Sequence, residues 1–253
     1  MGVIVIVALL LRTVFAYGTS VGGDFALSGG SSGQYHLHVI ESILSGSYAI
    51  GADAAVNYPL GGLNVYPPLL DFIAAGVASV LSMTGLGSAE AASAALGGLN
   101  PVIGALTCIP VYLVAKEMFD KRTGVLAALV YAFLALPIAT SVFSSGTEYA
   151  LAAFLAAFMS YFLVKTAKAL DSADTSKAAM KYGLLTGVFL GLAALTWNGF
   201  GVLIAVIAAV MLLQAVSDRF KTVDMAIALV PYALAIIVGT VIAAVYYIPA
   251  GLL

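Results

Sequence analysis

An all-α fold embedded in a membrane is what this sequence predicts. Three observations predict it: 62% apolar against 9% charged residues, a series of long apolar runs, and basic residues gathered into short connections. A soluble domain of this balance would have too little polar surface to face water. A spanning helix needs about 20 apolar residues, and eight candidate runs occur, at about 1–17, 66–84, 99–115, 123–143, 148–165, 181–197, 199–216 and 223–248.

The first run has no basic flank at its N-terminus and carries Arg12 where a cleavable signal would still be apolar, so it reads as an uncleaved span. Arg12 is expected to snorkel toward the external surface. The second run opens with Tyr66-Pro67-Pro68, has Asp71 in its first turn, and leads into a small-residue stretch at 85–98. Those features weaken it as a span, and it is expected to re-enter or to lie on the external face.

The remaining runs follow from charge. Nine of the ten basic residues fall in three connections: Lys116, Lys121 and Arg122; Lys165, Lys168, Lys177 and Lys181; Arg219 and Lys221. The positive-inside rule puts all three in the cytoplasm. Two spans separate each cluster from the next, which gives seven crossings with the N-terminus cytoplasmic, in one transmembrane domain over 1–253 of a cell (plasma) membrane protein. A first external loop region covers 18–98 and a second covers 144–149, while the polar connection 170–180 reads as a cytoplasmic loop.

A net charge of -2 with no basic patch on a soluble segment argues against nucleic-acid binding. The single cysteine, Cys108, lies in an apolar run, which rules out an intrachain disulfide or a cysteine metal cluster.

The acids collect outside the membrane: Asp24, Glu41, Asp53, Asp71 and Glu90 share the first loop with His36 and His38 and with no lysine or arginine. The segment Ser28-Gly29-Gly30-Ser31-Ser32-Gly33-Gln34-Tyr35-His36-Leu37-His38 is a glycine-rich entry into a helix, a place where anions are held. Two histidines two residues apart point to different faces of a helix and make a poor ligand pair, and two solvated histidines on a surface loop is the plainer reading. Glu148 stands at the external end of the fifth run. It reads either as a functional carboxylate or as a solvated one favoured by the helix dipole. Trp197 reads as an interfacial anchor.

Several segments in order resemble the catalytic subunits of oligosaccharyltransferases, most closely the archaeal type. Tyr35-His36-Leu37-His38 is similar to the first external-loop motif, usually Asp-x-x-Tyr-His-x-Arg. Asn57-Tyr58-Pro59 through Tyr66-Pro67-Pro68 is similar to the Tyr-Pro-rich external segment. Asn100-Pro101 through Ile109-Pro110, running into Lys116-Glu117-Met118-Phe119-Asp120-Lys121-Arg122, resembles the second membrane helix and its cytoplasmic turn. Ala194-Leu195-Thr196-Trp197-Asn198-Gly199-Phe200 is similar to the later tryptophan-glycine turn.

The resemblance implies a transmembrane domain of the glycosyltransferase C type. It also implies transfer of a glycan from a dolichol phosphate or diphosphate carrier to asparagine in Asn-x-Ser/Thr at the external face, with Mn2+ or Mg2+ as cofactor. An amide nitrogen is a poor nucleophile, so carboxylates must polarise it while the metal stabilises the departing phosphate. On this basis Glu148 is the expected metal ligand and catalytic carboxylate. Ser32 stands at the position of the family's aspartate, and Tyr35, His36 and His38 are expected near the lipid phosphate.

Two departures accompany the match. Gly146-Thr147-Glu148 retains one acid of the second acidic motif, and Asp24 or Glu41 would have to fold inward to replace a missing one. The sequence to Leu253 contains no Trp-Trp-Asp-Tyr-Gly motif, so the reader of the acceptor sequon is expected to be absent from this chain. Two alternatives stand beside the enzyme: a non-catalytic paralogue or remnant that binds lipid-linked glycan or a partner subunit, and a transporter with a midplane site.

Overall fold

The structure, a computed structural model, describes residues 1–14, 27, 30–64, 66–170, 176–221 and 225–252. Helices account for most of it: α1 (Gly2–Thr13), α2 (Gly30–Leu44), α3 (Leu69–Ser82), α4 (Ser88–Leu106), α5 (Cys108–Met118), α6 (Lys121–Phe133), α7 (Ala135–Ala139), α8 (Tyr149–Leu170), α9 (Ser176–Ala194), α10 (Gly201–Lys221) and α11 (Met225–Tyr247). A two-residue antiparallel pairing of β1 (Ala52–Asp53) with β2 (Gly62–Leu63) closes the loop between α2 and α3.

Four stretches among the described residues are long and apolar enough to cross a bilayer: Ser88–Met118, Tyr149–Leu170, Asn198–Val216 and Ala228–Tyr247; α1 and α3 are shorter apolar helices. The first stretch corrects the expected 99–115. Its serine- and alanine-rich start, read from sequence as a small-residue connection, is helical from Ser88 because alanines 91, 92 and 95 with Leu96 form a buried face. That face packs against Leu70, Ala74, Ala75 and Ala78 of α3 and Ile40 of α2. Small side chains on both partners let the backbones come close.

The second half of the bundle uses glycine for the same purpose. Gly183, Gly187 and Gly191 recur every four residues on α9 and face α11; a methyl group at Gly187 would lie 2.6 Å from the Ala235 carbonyl oxygen, and one at Gly191 2.5 Å from Ile242 Cβ. Helix hydroxyls are satisfied internally: Thr166, Thr186, Thr196 and Thr240 each donate to the carbonyl four residues back, at 2.8–2.9 Å. At the start of α6 the Asp120 carboxylate accepts from the Thr123 N–H at 2.7 Å and caps the helix.

The chain ends of these helices segregate. At one end, Leu69 N–H donates to Leu195 O and Phe143 N–H to Arg12 O. There the Tyr246 hydroxyl reaches Asn64 O at 2.9 Å and the Tyr247 hydroxyl reaches Asn198 Oδ1 at 3.0 Å. At the other end Lys168 pairs with Glu117 at 3.6 Å. Asp53, Asp71 and the two histidines of the first loop therefore share one end, and the basic connections at 116–122 and 165–168 share the other. The polar connection at 171–175 and the end of the first apolar run beyond 14 lie outside the described residues.

Candidate functional site

His36 is the centre of the acidic end. Gly30 begins α2 with φ of 63°, a left-handed conformation that glycine adopts without strain. One turn and a half later His36 faces inward with no exposed surface, while His38, two residues on, keeps 43% of its side chain exposed. The expectation of different faces holds, and the reading of two solvated histidines is corrected for His36. The cause is the apolar packing of the same α2 face, through Val39 and Ile40, onto α3 and α4.

Each ring nitrogen of His36 meets a carboxylate. Nδ1 lies 2.7 Å from Asp71 Oδ1, and Nε2 lies 3.3 Å from Glu148 Oε2. The Ser32 hydroxyl, one helical turn before His36, donates to the same Glu148 Oε2 at 3.2 Å. The Tyr66 ring closes the edge of His36, at a centroid distance of 5.4 Å. Of the three residues expected near a lipid phosphate, His36 has no exposed surface while Tyr35 and His38 are partly exposed. Their partner is Asp53, which accepts from the Tyr35 hydroxyl at 2.9 Å and faces His38 Nε2 at 3.3 Å. A cleft of about 400 Å³ lined by His38, Ser42, Tyr48, Asp53 and Asn64 opens there.

Glu148 owes its position to the turn before it. Ser144 and Gly146 both take left-handed backbone angles, φ 70° and 61°, strained for serine and free for glycine. Asn100 of α4 holds that turn by donating through Nδ2 to Ser145 Oγ at 2.5 Å and to Thr147 O at 3.0 Å. Gly33 admits the turn closely from the other side, since a Cβ there would sit 3.2 Å from Ser145 O. Glu148 ends only 4% exposed at the start of α8, and the alternative of a solvated carboxylate is corrected.

Arg12 is also buried, which corrects the expected snorkelling. Its Nε donates to Ser141 Oγ at 2.7 Å and its Nη1 to Ala8 O at 3.0 Å, with the guanidinium 5.8 Å from the Tyr131 ring centroid. Nη2 has no hydrogen-bond partner among the described residues. The head group cannot turn outward because Ser141 and Gly104 close around it; a Cβ at Gly104 would lie 2.8 Å from Nε.

Electrostatics follow from these contacts. Burial disfavours a charged imidazole, but the hydrogen bonds and charges of Asp71 and Glu148 outweigh it and raise the His36 pKa to about 9. Burial raises the Asp71 carboxyl in spite of His36. In Glu148 burial is outweighed by the bond from His36, and its carboxyl is held below the usual range. Burial, then the bond to Asp53, pushes the Tyr35 hydroxyl up.

Among the described residues no three His, Cys, Asp or Glu side chains converge as a metal cluster. The donor chemistry around Glu148 nonetheless fits a small divalent cation: a carboxylate, a hydroxyl and an imidazole nitrogen lie within 3.3 Å of one another's partner atom Oε2. Asp71 and Asn100 are the site residues that residue types alone did not single out. An acid in the first turn of an apolar helix is a signal for a functional group, and in the sequence Asp71 counted against a membrane span and as one of five first-loop acids. Glu41, a candidate to fold inward, is exposed on the far side of α2, and Asp24 lies outside the described residues. Trp197 is half-buried over Gly199.

The comparisons with known proteins agree with one another. A family model described as oligosaccharyl transferase STT3, N-terminal, matches residues 35–251. Dolichyl-phosphooligosaccharide-protein glycotransferase 3 of Archaeoglobus fulgidus is 27% identical over 202 residues, covering 78% of this chain and 23% of that protein. Glycotransferase 2 of the same organism is 27% identical over 182 residues, 71% of this chain and 27% of that protein. The fold is similar to that of archaeal oligosaccharyltransferase AglB from A. fulgidus in complex with an inhibitory peptide and a dolichol-phosphate, with TM-score 0.80, 22% identity, and coverage of 98% of this chain and 28% of that one. A form of the A. fulgidus oligosaccharyltransferase in complex with Zn and sulfate gives TM-score 0.76 at 23% identity, covering 98% and 30%. The chain thus spans about a quarter of the length of the curated relatives it matches.

Proposed function

The chain belongs to the oligosaccharyl transferase STT3 family, in its N-terminal membrane portion, and on that premise we propose that it takes part in transferring a glycan from a dolichol phosphate or diphosphate carrier to asparagine of Asn-x-Ser/Thr in an acceptor protein. The observation that carries this reading is the meeting of Ser32 and Glu148, 116 residues apart, at the acidic end of the bundle. These are the two positions at which the sequence aligns with the family's acidic motifs. An apolar groove of about 450 Å³ lined by Tyr131, Leu136, Pro137, Tyr149, Ala150 and Ala153 supports the lipid half of the reading, since it adjoins Glu148 through Tyr149.

In this reading α1, the α4–α5 pair, α6–α7, α8, α9, α10 and α11 cross a cell membrane seven times from a cytoplasmic N-terminus. Helices α2 and α3 lie outside. The segregation of acidic and basic ends supports that arrangement.

A divalent cation, Mn2+ or Mg2+, would be held by Glu148 with the Ser32 hydroxyl beside it, and would supply Lewis-acid stabilisation of a departing phosphate oxygen. The chain's own residues do the rest. Asn100 fixes the turn that presents Glu148, Glu148 accepts and polarises an amide N–H, and His38 lines the open cleft where a phosphate would sit, with Tyr35 bonded to Asp53 of the same lining.

The test is glycan transfer from native lipid donor to an Asn-x-Thr peptide by the protein in membranes, with Mn2+ or Mg2+ added. Transfer is expected, and Glu148→Gln is expected to lower it about 1000-fold, the scale of losing a principal charge-stabilising group. A second reading, a non-catalytic protein that binds lipid-linked glycan, is favoured by Ser32 in place of an acid. Absence of transfer by the wild type, together with transfer by Ser32→Asp, would select it.

A further inference from the structure

We propose that His36 is itself a metal ligand, coordinating a divalent cation through Nε2 together with Glu148 Oε2 and Ser32 Oγ, with Asp71 holding the imidazole in position. This rests on the reading of Glu148 as a metal-binding carboxylate and adds a ligand, and with it a metal preference, to that site.

The geometry has the form of a carboxylate–histidine–metal relay. Metal-bound histidines donate the distal ring N–H to a carboxylate, which fixes the tautomer and leaves the other nitrogen's lone pair directed at the ion. Here the Nδ1 to Asp71 Oδ1 contact is short, 2.7 Å. The Nε2 to Glu148 Oε2 separation is 3.3 Å, beyond the roughly 2.7–2.9 Å of a charge-assisted hydrogen bond. Two ligands each about 2.1 Å from a shared ion stand roughly 3.0–3.5 Å apart for octahedral to tetrahedral angles. The Ser32 Oγ to Oε2 separation, 3.2 Å, falls in the same interval.

Charge points the same way. Asp71 has no exposed surface and Glu148 is 4% exposed; once the imidazole gives up its Nε2 proton to act as a ligand, the two buried carboxylates leave negative charge that a dication in the proton's place balances. The Asp71 Oδ2 atom is buried and has no hydrogen-bond partner among the described residues. Rigidity is already in place, because His36 is wedged between Tyr66 and the α2–α3 contact. Mg2+ takes oxygen ligands almost exclusively. A set of one imidazole nitrogen, one carboxylate and one hydroxyl shifts preference toward Mn2+ and Zn2+.

The chain has two histidines, which makes the proposal directly readable. Mn2+ is added to the full chain in detergent micelles, and pulsed electron paramagnetic resonance is used to detect directly bound 14N. A 14N coupling in the wild type that persists in His38→Gln is expected. Asp71→Asn, which keeps an acceptor for Nδ1 but not its charge, is expected to weaken Mn2+ binding about tenfold, and Mg2+ should compete with Mn2+ poorly. Bound Mn2+ without 14N coupling, coupling that disappears in His38→Gln, or no Mn2+ binding would overturn the proposal. None of these readouts involves glycan transfer. Absent transfer with nitrogen-coupled Mn2+ would sink the catalytic reading and leave the ligand assignment standing, and transfer with uncoupled Mn2+ would do the reverse.

Discussion

Two cationic side chains are buried at the same end of this helix bundle and are compensated in opposite ways. His36 lies between two carboxylates, Asp71 and Glu148. Arg12 lies among neutral oxygens, the Ser141 hydroxyl and the Ala8 carbonyl, with Tyr131 nearby. The first environment holds a charge that can be exchanged, since a proton or a metal ion can occupy it. The second holds a charge that cannot be given up, because guanidinium does not deprotonate, and its partners are too weakly negative to form an ion site. The chemistry is therefore expected around His36, whereas Arg12 ties α1 to the turn that carries Glu148. Similar burial at the two positions is thus met by countercharge in one and by neutral acceptors in the other.

The largest effect that would sharpen this contrast is that of Asp71→Ala. It strands His36 with a single carboxylate and is expected to destabilise the metal-free protein by about 3–5 kcal/mol, the range for breaking a buried ion pair. Denaturation in detergent followed by helical circular dichroism measures it. A loss no larger than that of Arg12→Met would break the comparison.

The second effect is a pH dependence. The folded-state pKa of His36 is raised from 6.5 to about 9, so its contribution is fully present below about pH 6.5 and is lost as pH rises through about 9. The loss is on the order of 3 kcal/mol. Thermal midpoints in chelator should fall across that window. A midpoint that rises instead would show His36 to be neutral in the native state. Arg12 contributes no slope there.

Smaller effects separate the two halves of the Arg12 arrangement. Ser141→Ala leaves a charged Nε buried without its acceptor and is expected to cost about 1–3 kcal/mol. Arg12→Met removes the charge together with its desolvation and is expected to cost less, under about 1 kcal/mol, because neutral partners lose little. Amide exchange at residues 141–145 should speed up in both. The reverse order of the two costs would mean that Arg12 has a countercharge after all. Smallest is Asp53→Asn: its carboxylate faces a His38 that is 43% exposed, and such pairs are worth about 0–1 kcal/mol.

Much of the fold could be read in the sequence because the information is local. Apolar runs and basic clusters mark the later helices, and Tyr66-Pro67-Pro68 with Asp71 separates α3 from the long apolar helices. The site was legible only as a set of residue types. His36 reaches Asp71 across 35 residues and Glu148 across 112, and Arg12 reaches Ser141 across 129. No spacing rule connects such distances. The same holds for α4, whose first ten residues look like a connection until α3 supplies the alanine face they pack on. Glu148 could be picked out because an acid beside an apolar run is unusual. Asn100 could not, because an amide inside a helix has no such signature.

The Arg12–Ser141 bond also bears on the order in which the protein is made. A ribosome adding about 5–20 residues per second completes residue 141 roughly 6–25 seconds after residue 12. During that interval the guanidinium has the Ala8 carbonyl of its own helix but not the Ser141 hydroxyl, which arrives only with the turn after α7.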